Sequence, residues 1–374
     1  MTDPLAIVAT CAPGLETILA DEIVETLGTD AGMPSIEPGG VAMQGDAALV
    51  VRANLELGVA SRVLVRVGEL RARAFPELAR KTSRIDWTTW LRPGVRVDVS
   101  ATAKRSRLYH SEGIAQRIRD AVAAQLGPVS DDAPTVTLVA RMHRDVCSLS
   151  VDTSGEALHR RGWRQQTAKA PLREDLARAL IRISGWDPTT PFVDPMMGAG
   201  TLLIEAATMA RRLAPGRLRD FAVVHTQLAD ATTVLAQRQR LQSRSRPTAP
   251  APIVGRDRAE GALRATTGNA ERAGILADLD LGVADLHEVP LPKLAPGTAV
   301  TNPPYGKRVR DSGDVREVYA RFGERVRELG ADWRAAMIAP DARAVAAAKL
   351  GLMPRATTKH GGLSVHLFAR PPRD

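Results

Sequence analysis

The apolar positions of this chain switch repeatedly between two periods. Leu5 to Cys11 is one continuous apolar run and predicts a strand. Leu15, Ile18, Leu19, Ile23 and Leu27 then recur at helical spacing and are closed by Gly28. The stretch VAMQGDAALVVRANLEL reads as a strand, a turn, and then a strand or a helix. A second unit opens with an alternating strand from Val95 to Ser100. A basic loop follows, then a helix with Ile114, Ile118, Val122 and Leu126 on one face, then two strands separated by a basic turn. Small α+β modules fit this first part.

From about Asp175 the pattern becomes a regular alternation of helix and strand. LARALIRISGW is helical, PFVDP a strand, GTLLIEAATMARRL a helix, and PIVGRD a strand followed by an alanine-rich helix. LDLGVADL and GTAVTNPPY predict two more strands. DVREVYARFGERVREL predicts an amphipathic helix, WRAAMIAP a strand, DARAVAAAKLG a helix, and the tail a hairpin around Gly361 and Gly362. Such alternation predicts a doubly wound, mostly parallel sheet closed by antiparallel strands. Residues from Arg211 to Pro252 interrupt it and read as an insertion.

Composition narrows the class. With 374 residues, 44% of them hydrophobic, the chain can bury two or three domain cores. A net charge of +9 favours a polyanionic partner, although an arginine-rich composition alone carries little. Cys11 and Cys147 stand apart from each other and from clustered histidines, so neither a metal site nor a disulfide framework is expected. The first residues lack a basic stretch followed by a long apolar one, and no apolar run is long enough for a membrane span. A cytoplasmic protein is the expectation.

Basic residues cluster at Lys104, Arg105, Arg107, Arg141, His143 and Arg144, in the loop and turn of the second unit, and suggest a phosphate-contacting face. Arg160, Arg161 and Arg164, at the junction before the alternating half, either touch RNA or tie the linker to its domain.

Four loops at strand ends carry the chemistry. DPMMGAGT joins a strand to a helix, and Gly198 and Gly200 let its backbone turn tightly beside a ligand. The third glycine of a dinucleotide fingerprint is missing, and Asp194 would repel a pyrophosphate. A carboxylate there suits a cationic ligand end. Asp257 ends the next strand, where it can accept from two ribose hydroxyls, and Asp285 follows the third, where it can accept from an adenine amine. TNPPYG ends the fourth. Asn302 and the carbonyl of Pro303 can accept both hydrogens of an exocyclic amine, Pro304 stiffens the loop, and Tyr305 offers a stacking face.

These motifs carry a resemblance. The sequence Asn302-Pro303-Pro304-Tyr305 after a DPxxGxGT loop resembles the class I amino-methyltransferases. LHRRGWR, APLRE, DPMMGAGTLLIEAA, APGRLRDF and TNPPYGKR, in that order, resemble the THUMP-domain RNA guanine-N2 methyltransferases of the RlmL and TrmN kind. VSATAKRSRLYHSEGIAQRI resembles the THUMP module, and CAPGLETILADEI the ferredoxin-like segment before it. The resemblance implies a ferredoxin-like segment over 1–55, a THUMP domain over 56–157 and a Rossmann-like methyltransferase domain over 158–374, with the insertion at about 211–252. It implies S-adenosylmethionine as cofactor and RNA as partner: 23S rRNA, with tRNA as the alternative. It places Asp194, Pro195, Gly198, Gly200 and Thr201 at the methionine end of the cofactor, with Asp257 on the ribose and Asp285 on the adenine. Pro171, Leu172 and Arg173 would lie near its carboxylate, and Asn302, Pro303, Pro304 and Tyr305 on the target guanine. Met197 and Ala199 stand where the family often has Cys and Ser, and Lys307 where an acid is frequent.

Three other readings compete. Adenine N6 offers the same amine chemistry as guanine N2. A non-catalytic RNA-binding factor could keep the fold, but Asn302 and Tyr305 are intact. A nicotinamide-dependent oxidoreductase fails on the glycine pattern.

Overall fold

Runs of β-branched residues and helices with one apolar face build two seven-stranded sheets, one in each of two units. The computed structural model describes residues 4–165, 171–286, 295–305 and 315–371. The first unit comprises Met1–Thr10, Ala20–Leu158 and Arg219–Arg240, and the second Cys11–Leu19, His159–Leu218 and Leu241–Asp374.

In chain order the first part runs β1 (Leu5–Thr10), α1 (Glu16–Leu27), β2 (Ser35–Glu37), β3 (Gly40–Gly45), α2 (Ala47–Glu56), β4 (Arg62–Arg71), α3 (Phe75–Thr82), β5 (Arg96–Lys104), α4 (Ser111–Leu126), β6 (Thr135–His143) and β7 (Val146–Asp152). The sheet order is β2-β3-β1-β4-β7-β6-β5. Only β5 and β6 pair in parallel; the rest are antiparallel. The segment left open between strand and helix is the helix α2. Asp46 stops the strand and accepts a hydrogen bond from Leu49 N at 2.8 Å, satisfying a first-turn donor. Trp87, Leu91, Ile114, Ile118, Val122, Leu138, Cys147 and Leu149 form the core under β5 to β7, each removed from water. Burial pushes the Cys147 thiol up to about 12, which suits a core residue.

The second part runs α5 (Glu174–Ile183), β8 (Phe192–Asp194), α6 (Thr201–Ala210), α7 (Ala231–Gln242), β9 (Ile253–Asp257), α8 (Glu260–Arg272), β10 (Leu279–Val283), β11 (Thr298–Thr301), α9 (Val315–Leu329), β12 (Arg334–Ala339), α10 (Ala342–Val345), β13 (Met353–His360) and β14 (Leu363–Ala369). The order is β10-β9-β8-β11-β12-β14-β13. The first five strands are parallel, and the hairpin β13–β14 adds two antiparallel strands, as the alternation predicted. The order reverses between β8 and β11, the place where open α/β sheets bind ligands at their carboxyl ends.

One predicted helix is cut short. DARAVAAAKLG gives a single α-helical turn, a tightened turn over Ala346–Ala348, and Lys349 in a left-handed conformation at φ 51°. Arg327 Nη1 of α9 donates to the Ala348 carbonyl at 2.7 Å, taking an acceptor that a longer helix would use.

Candidate active site

The carboxyl ends of β8, β9, β10 and β11 open onto a cavity of about 330 Å³, within the range of small-ligand sites. Asp194, Pro195, Gly198, Thr201, Asp257, Asp285, Asn302 and Pro304 line it, together with Pro171 and Leu172. The three predicted acids and the loop that follows β11 therefore meet in one place.

The glycine loop is held from both sides. Gly198 and Gly200 have φ of 54° and 80°, in the left-handed region. Gly198 N donates to Asp257 Oδ2 at 3.0 Å, so the end of β9 fixes the loop after β8. On the other side α8 supplies two donors: Thr266 Oγ1 to the Gly198 carbonyl at 2.9 Å and Asn269 Nδ2 to the Ala199 carbonyl at 3.1 Å. Both side chains are fully buried. Neither was singled out from the sequence, although two polar residues three apart on an inward helix face were a readable signal.

Asp194 is the most perturbed group of the site. It is buried, and its Oδ1 accepts from Met196 N at 3.1 Å and from Thr301 Oγ1 at 2.9 Å. Burial pushes its carboxyl up to about 7 against these two bonds, and the nearby charge of Asp257 adds to the rise. A carboxylate that costly to ionise favours a cation beside it. The cationic methionine end of S-adenosylmethionine would supply that partner. The cavity also offers apolar walls at Met197, Leu202 and Leu286 for a flat ring.

Asn302 lines the cavity, and its Oδ1 is buried without a hydrogen-bond partner among the described residues. A shielded acceptor of this kind is costly unless a ligand donor meets it. Pro303 and Tyr305 lie beside it in the loop but are not among the lining residues. Gly306 and Lys307 fall outside the described residues.

Two of the candidate arginines pair with buried carboxylates. Arg173 does not line the cavity; its guanidinium pairs with buried Asp175, Nε to Oδ1 at 3.0 Å, which satisfies an acid that burial would otherwise strand. Arg161, expected to touch RNA, is 2% exposed and bonds Glu205 Oε1 at 3.1 Å, with Arg178 on the other oxygen. A buried carboxylate on α6 needed a cation, and the junction supplied it. Arg164 acts similarly. It bonds Glu174 at 2.7 Å, the Leu172 carbonyl at 3.0 Å and Thr201 Oγ1 at 2.8 Å, which ties the junction to two cavity-lining residues. Arg160 is exposed.

The basic cluster of the first unit is a surface. Lys104 of β5 pairs in register with His143 of β6, and Thr102 with Arg141. Arg105 and Arg144 both take left-handed conformations that turn the chain at the strand ends. Asp145 ties the turns together, accepting from Arg107 N at 2.8 Å and Arg73 Nε at 3.0 Å. The side chains of Lys104, Arg105, Arg107, Arg141 and Arg144 are exposed. Tyr109, 70% exposed and stacked on His110 at 4.5 Å, adds an aromatic face that the sequence reading passed over.

Known proteins are similar to this chain in sequence and fold. Residues 161–367 match the RMKL-like methyltransferase domain, residues 6–64 the RlmL ferredoxin-like domain and residues 72–152 the THUMP domain. A Synechocystis sp. protein provisionally named an RNA methyltransferase is 31% identical over 371 residues, covering 96% of this chain and 95% of that one. The ribosomal RNA large subunit methyltransferase K/L of Chromohalobacter salexigens is 33% identical over 357 residues, covering 90% of this chain and 48% of the relative, so the chain spans about half of that protein's length. A crystal structure of a provisionally assigned methyltransferase complexed with S-adenosylhomocysteine superposes over the whole of both chains with a TM-score of 0.88 at 28% identity. TrmN from Thermus thermophilus, at 20% identity and a TM-score of 0.71, covering 98% of each chain, shares the fold. No helix among the described residues is long and apolar enough to cross a membrane. The chain belongs to the RMKL-like methyltransferase family, with RlmL-type ferredoxin-like and THUMP modules ahead of an S-adenosylmethionine-dependent methyltransferase fold.

Proposed function

We propose that the protein methylates the exocyclic N2 amine of a guanine in RNA, with 23S rRNA as the substrate and the cytoplasm as its place of work. The observation that carries the reading is the buried Oδ1 of Asn302, without a partner among the described residues, on the wall of a cavity shared with Asp194, Asp257 and Asp285. The names of the half-matching K/L relatives support the rRNA assignment.

S-adenosylmethionine supplies a methyl group on a good leaving group. The residues of this chain do the rest by placement. Asp194, Pro195, Gly198, Gly200 and Thr201 form the methionine end of the site, Asp257 takes the ribose, and Asp285 the adenine. The Asn302 side-chain oxygen and the Pro303 carbonyl accept the two amine hydrogens, which aims the nitrogen lone pair at the methyl carbon. Pro304 keeps the loop stiff and Tyr305 stacks on the base. The amine loses its proton after transfer, so no strong base is required. Lys104, Arg105, Arg107, Arg141 and Arg144 hold the RNA backbone. The same reading assigns 1–55 to the ferredoxin-like segment, 56–157 to the THUMP domain and 158–374 to the methyltransferase domain, with Arg219–Arg240 packing as part of the first unit.

The test is transfer of label from tritiated S-adenosylmethionine to unmodified total rRNA, total tRNA and duplex DNA, with nucleoside digestion. N2-methylguanosine in 23S rRNA is the expected product. The same nucleoside in tRNA would move the substrate, and N6-methyladenine would overturn the base assignment. Cofactor binding without any labelled product would favour a non-catalytic factor.

A further inference from the structure

The strands β8 and β11 flank the point where the sheet order reverses, and their ladder is short. It pairs Thr298 with Phe192 and Ala299 with Val193, and goes no further. Beyond it each strand delivers one functional residue: β8 ends at Asp194, and β11 ends at Thr301, directly before Asn302. The described bond that spans the two ends is between side chains, Thr301 Oγ1 to Asp194 Oδ1 at 2.9 Å. Both residues are buried, at 0% and 1% exposure.

We propose that Thr301 is a positioning residue that couples cofactor occupancy at Asp194 to the setting of Asn302. The inference rests on the methyltransferase reading above. A hydroxyl can donate to a carboxylate, which accepts only. The bond is charge-assisted when Asp194 is ionised and weaker when it is neutral. A cation bound beside Asp194 keeps it ionised, tightens the bond, and so fixes the end of β11 where Asn302 begins. The enzyme would thus set its amine-binding acceptor once the methyl donor is in place.

Among the described residues, four other charged groups face the Asp194 cavity. Asp257, at the end of β9, opposes its ionisation, and Arg258, Asp285 and Glu317 line the same cavity. Among the side chains bonded to it, the Thr301 hydroxyl is the one that favours the ionised form.

The experiment compares wild type with Thr301→Val, which keeps the shape and loses the donor, and Thr301→Ser, which keeps the donor. Thr301→Ala serves as a second donor-less variant if the valine crowds the site. The Asp194 carboxyl is titrated by carbon NMR in the cofactor-free protein. Loss of one hydrogen bond should raise its midpoint by about one pH unit in Thr301→Val and leave it in place in Thr301→Ser. Turnover on unmodified rRNA at pH 9 with saturating S-adenosylmethionine, where Asp194 is ionised in all variants, should fall about tenfold in Thr301→Val while the KM for the cofactor changes little. An unmoved midpoint overturns the proposal. So does a raised midpoint with undiminished turnover, since Thr301 would then tune Asp194 alone. Failure of the wild-type protein to bind S-adenosylmethionine would instead bring down the methyltransferase reading, and the coupling with it.

Discussion

Replacing Gly200 with alanine tests how the cofactor loop is built. Gly200 has φ 80°, and a left-handed alanine costs about 1 kcal/mol before any contact is considered. The added Cβ would stand 2.6 Å from Thr266 Cγ2 and 3.0 Å from its Oγ1. Thr266 cannot step aside cheaply. It is fully buried and β-branched, and turning it would break the bond to the Gly198 carbonyl. That loss adds about 1 to 2 kcal/mol. The expected destabilisation is therefore about 2 to 3 kcal/mol, with cofactor affinity falling at least about tenfold as the loop shifts. Gly198→Ala is the internal control. It shares the left-handed backbone, at φ 54°, but its Cβ would meet nothing within 4 Å, so about 1 kcal/mol is expected. Urea denaturation of both variants, with calorimetric titration of S-adenosylmethionine, measures the difference. Equal stability of the two would refute the argument that α8 braces the loop through Thr266.

Asn302→Ala should abolish methyl transfer while leaving cofactor affinity within a factor of about two; full turnover would remove its amine-orienting role. Asp194 ionises near pH 7 in the folded chain and near its ordinary 3.8 when unfolded, so the folded state holds the extra proton between them. Stability should therefore fall as pH rises from about 4 to 7 and level off above, while S-adenosylmethionine binding tightens over the approach to pH 7. Asp194→Asn should raise the melting temperature at pH 8 and lose the cofactor; a lowered melting temperature would contradict the burial argument. Arg161→Met leaves Glu205 buried with one cation fewer and should cost about 3 kcal/mol in denaturant unfolding without changing the salt dependence of RNA binding. Substituting Lys104, Arg105, Arg107 and Arg144 together should weaken RNA binding and reduce its salt slope by about three to four, read by fluorescence anisotropy across salt concentrations.

The site was largely legible because its parts are strand ends. Each of Asp194, Asp257, Asp285 and Asn302 closes an apolar run, and in a parallel sheet all such ends share one edge. What escaped the sequence depends on partners far along the chain. Arg161 looked like an exposed junction charge because its ligand, Glu205, lies 44 residues on. Thr266 and Asn269 matter only through carbonyls of a loop about 70 residues earlier. The strand β4 also went unread. Its apolar residues Val63, Leu64 and Val65 sit between Arg62 and Arg66, too brief an island for alternation to register, yet they occupy the sheet centre between β1 and β7.

Residues Arg219–Arg240 complete the first unit, although they are made after the second unit's His159–Leu218. Arg219 caps the carbonyls of Ser154, Glu156 and Ala157, Val223 N bonds the Thr153 carbonyl, and Arg92 Nε bonds the Thr226 carbonyl. A growing chain that has just passed Leu158 must wait with the carbonyls of Thr153, Ser154, Glu156 and Ala157 open. The first unit closes only after the ribosome has added some 80 further residues, a delay that exposes it to chaperones during synthesis. It follows that the first unit cannot be excised by a single cut. A fragment ending at Leu158 should fold poorly, whereas one in which Arg219–Arg240 is joined back through a flexible linker should recover a cooperative transition.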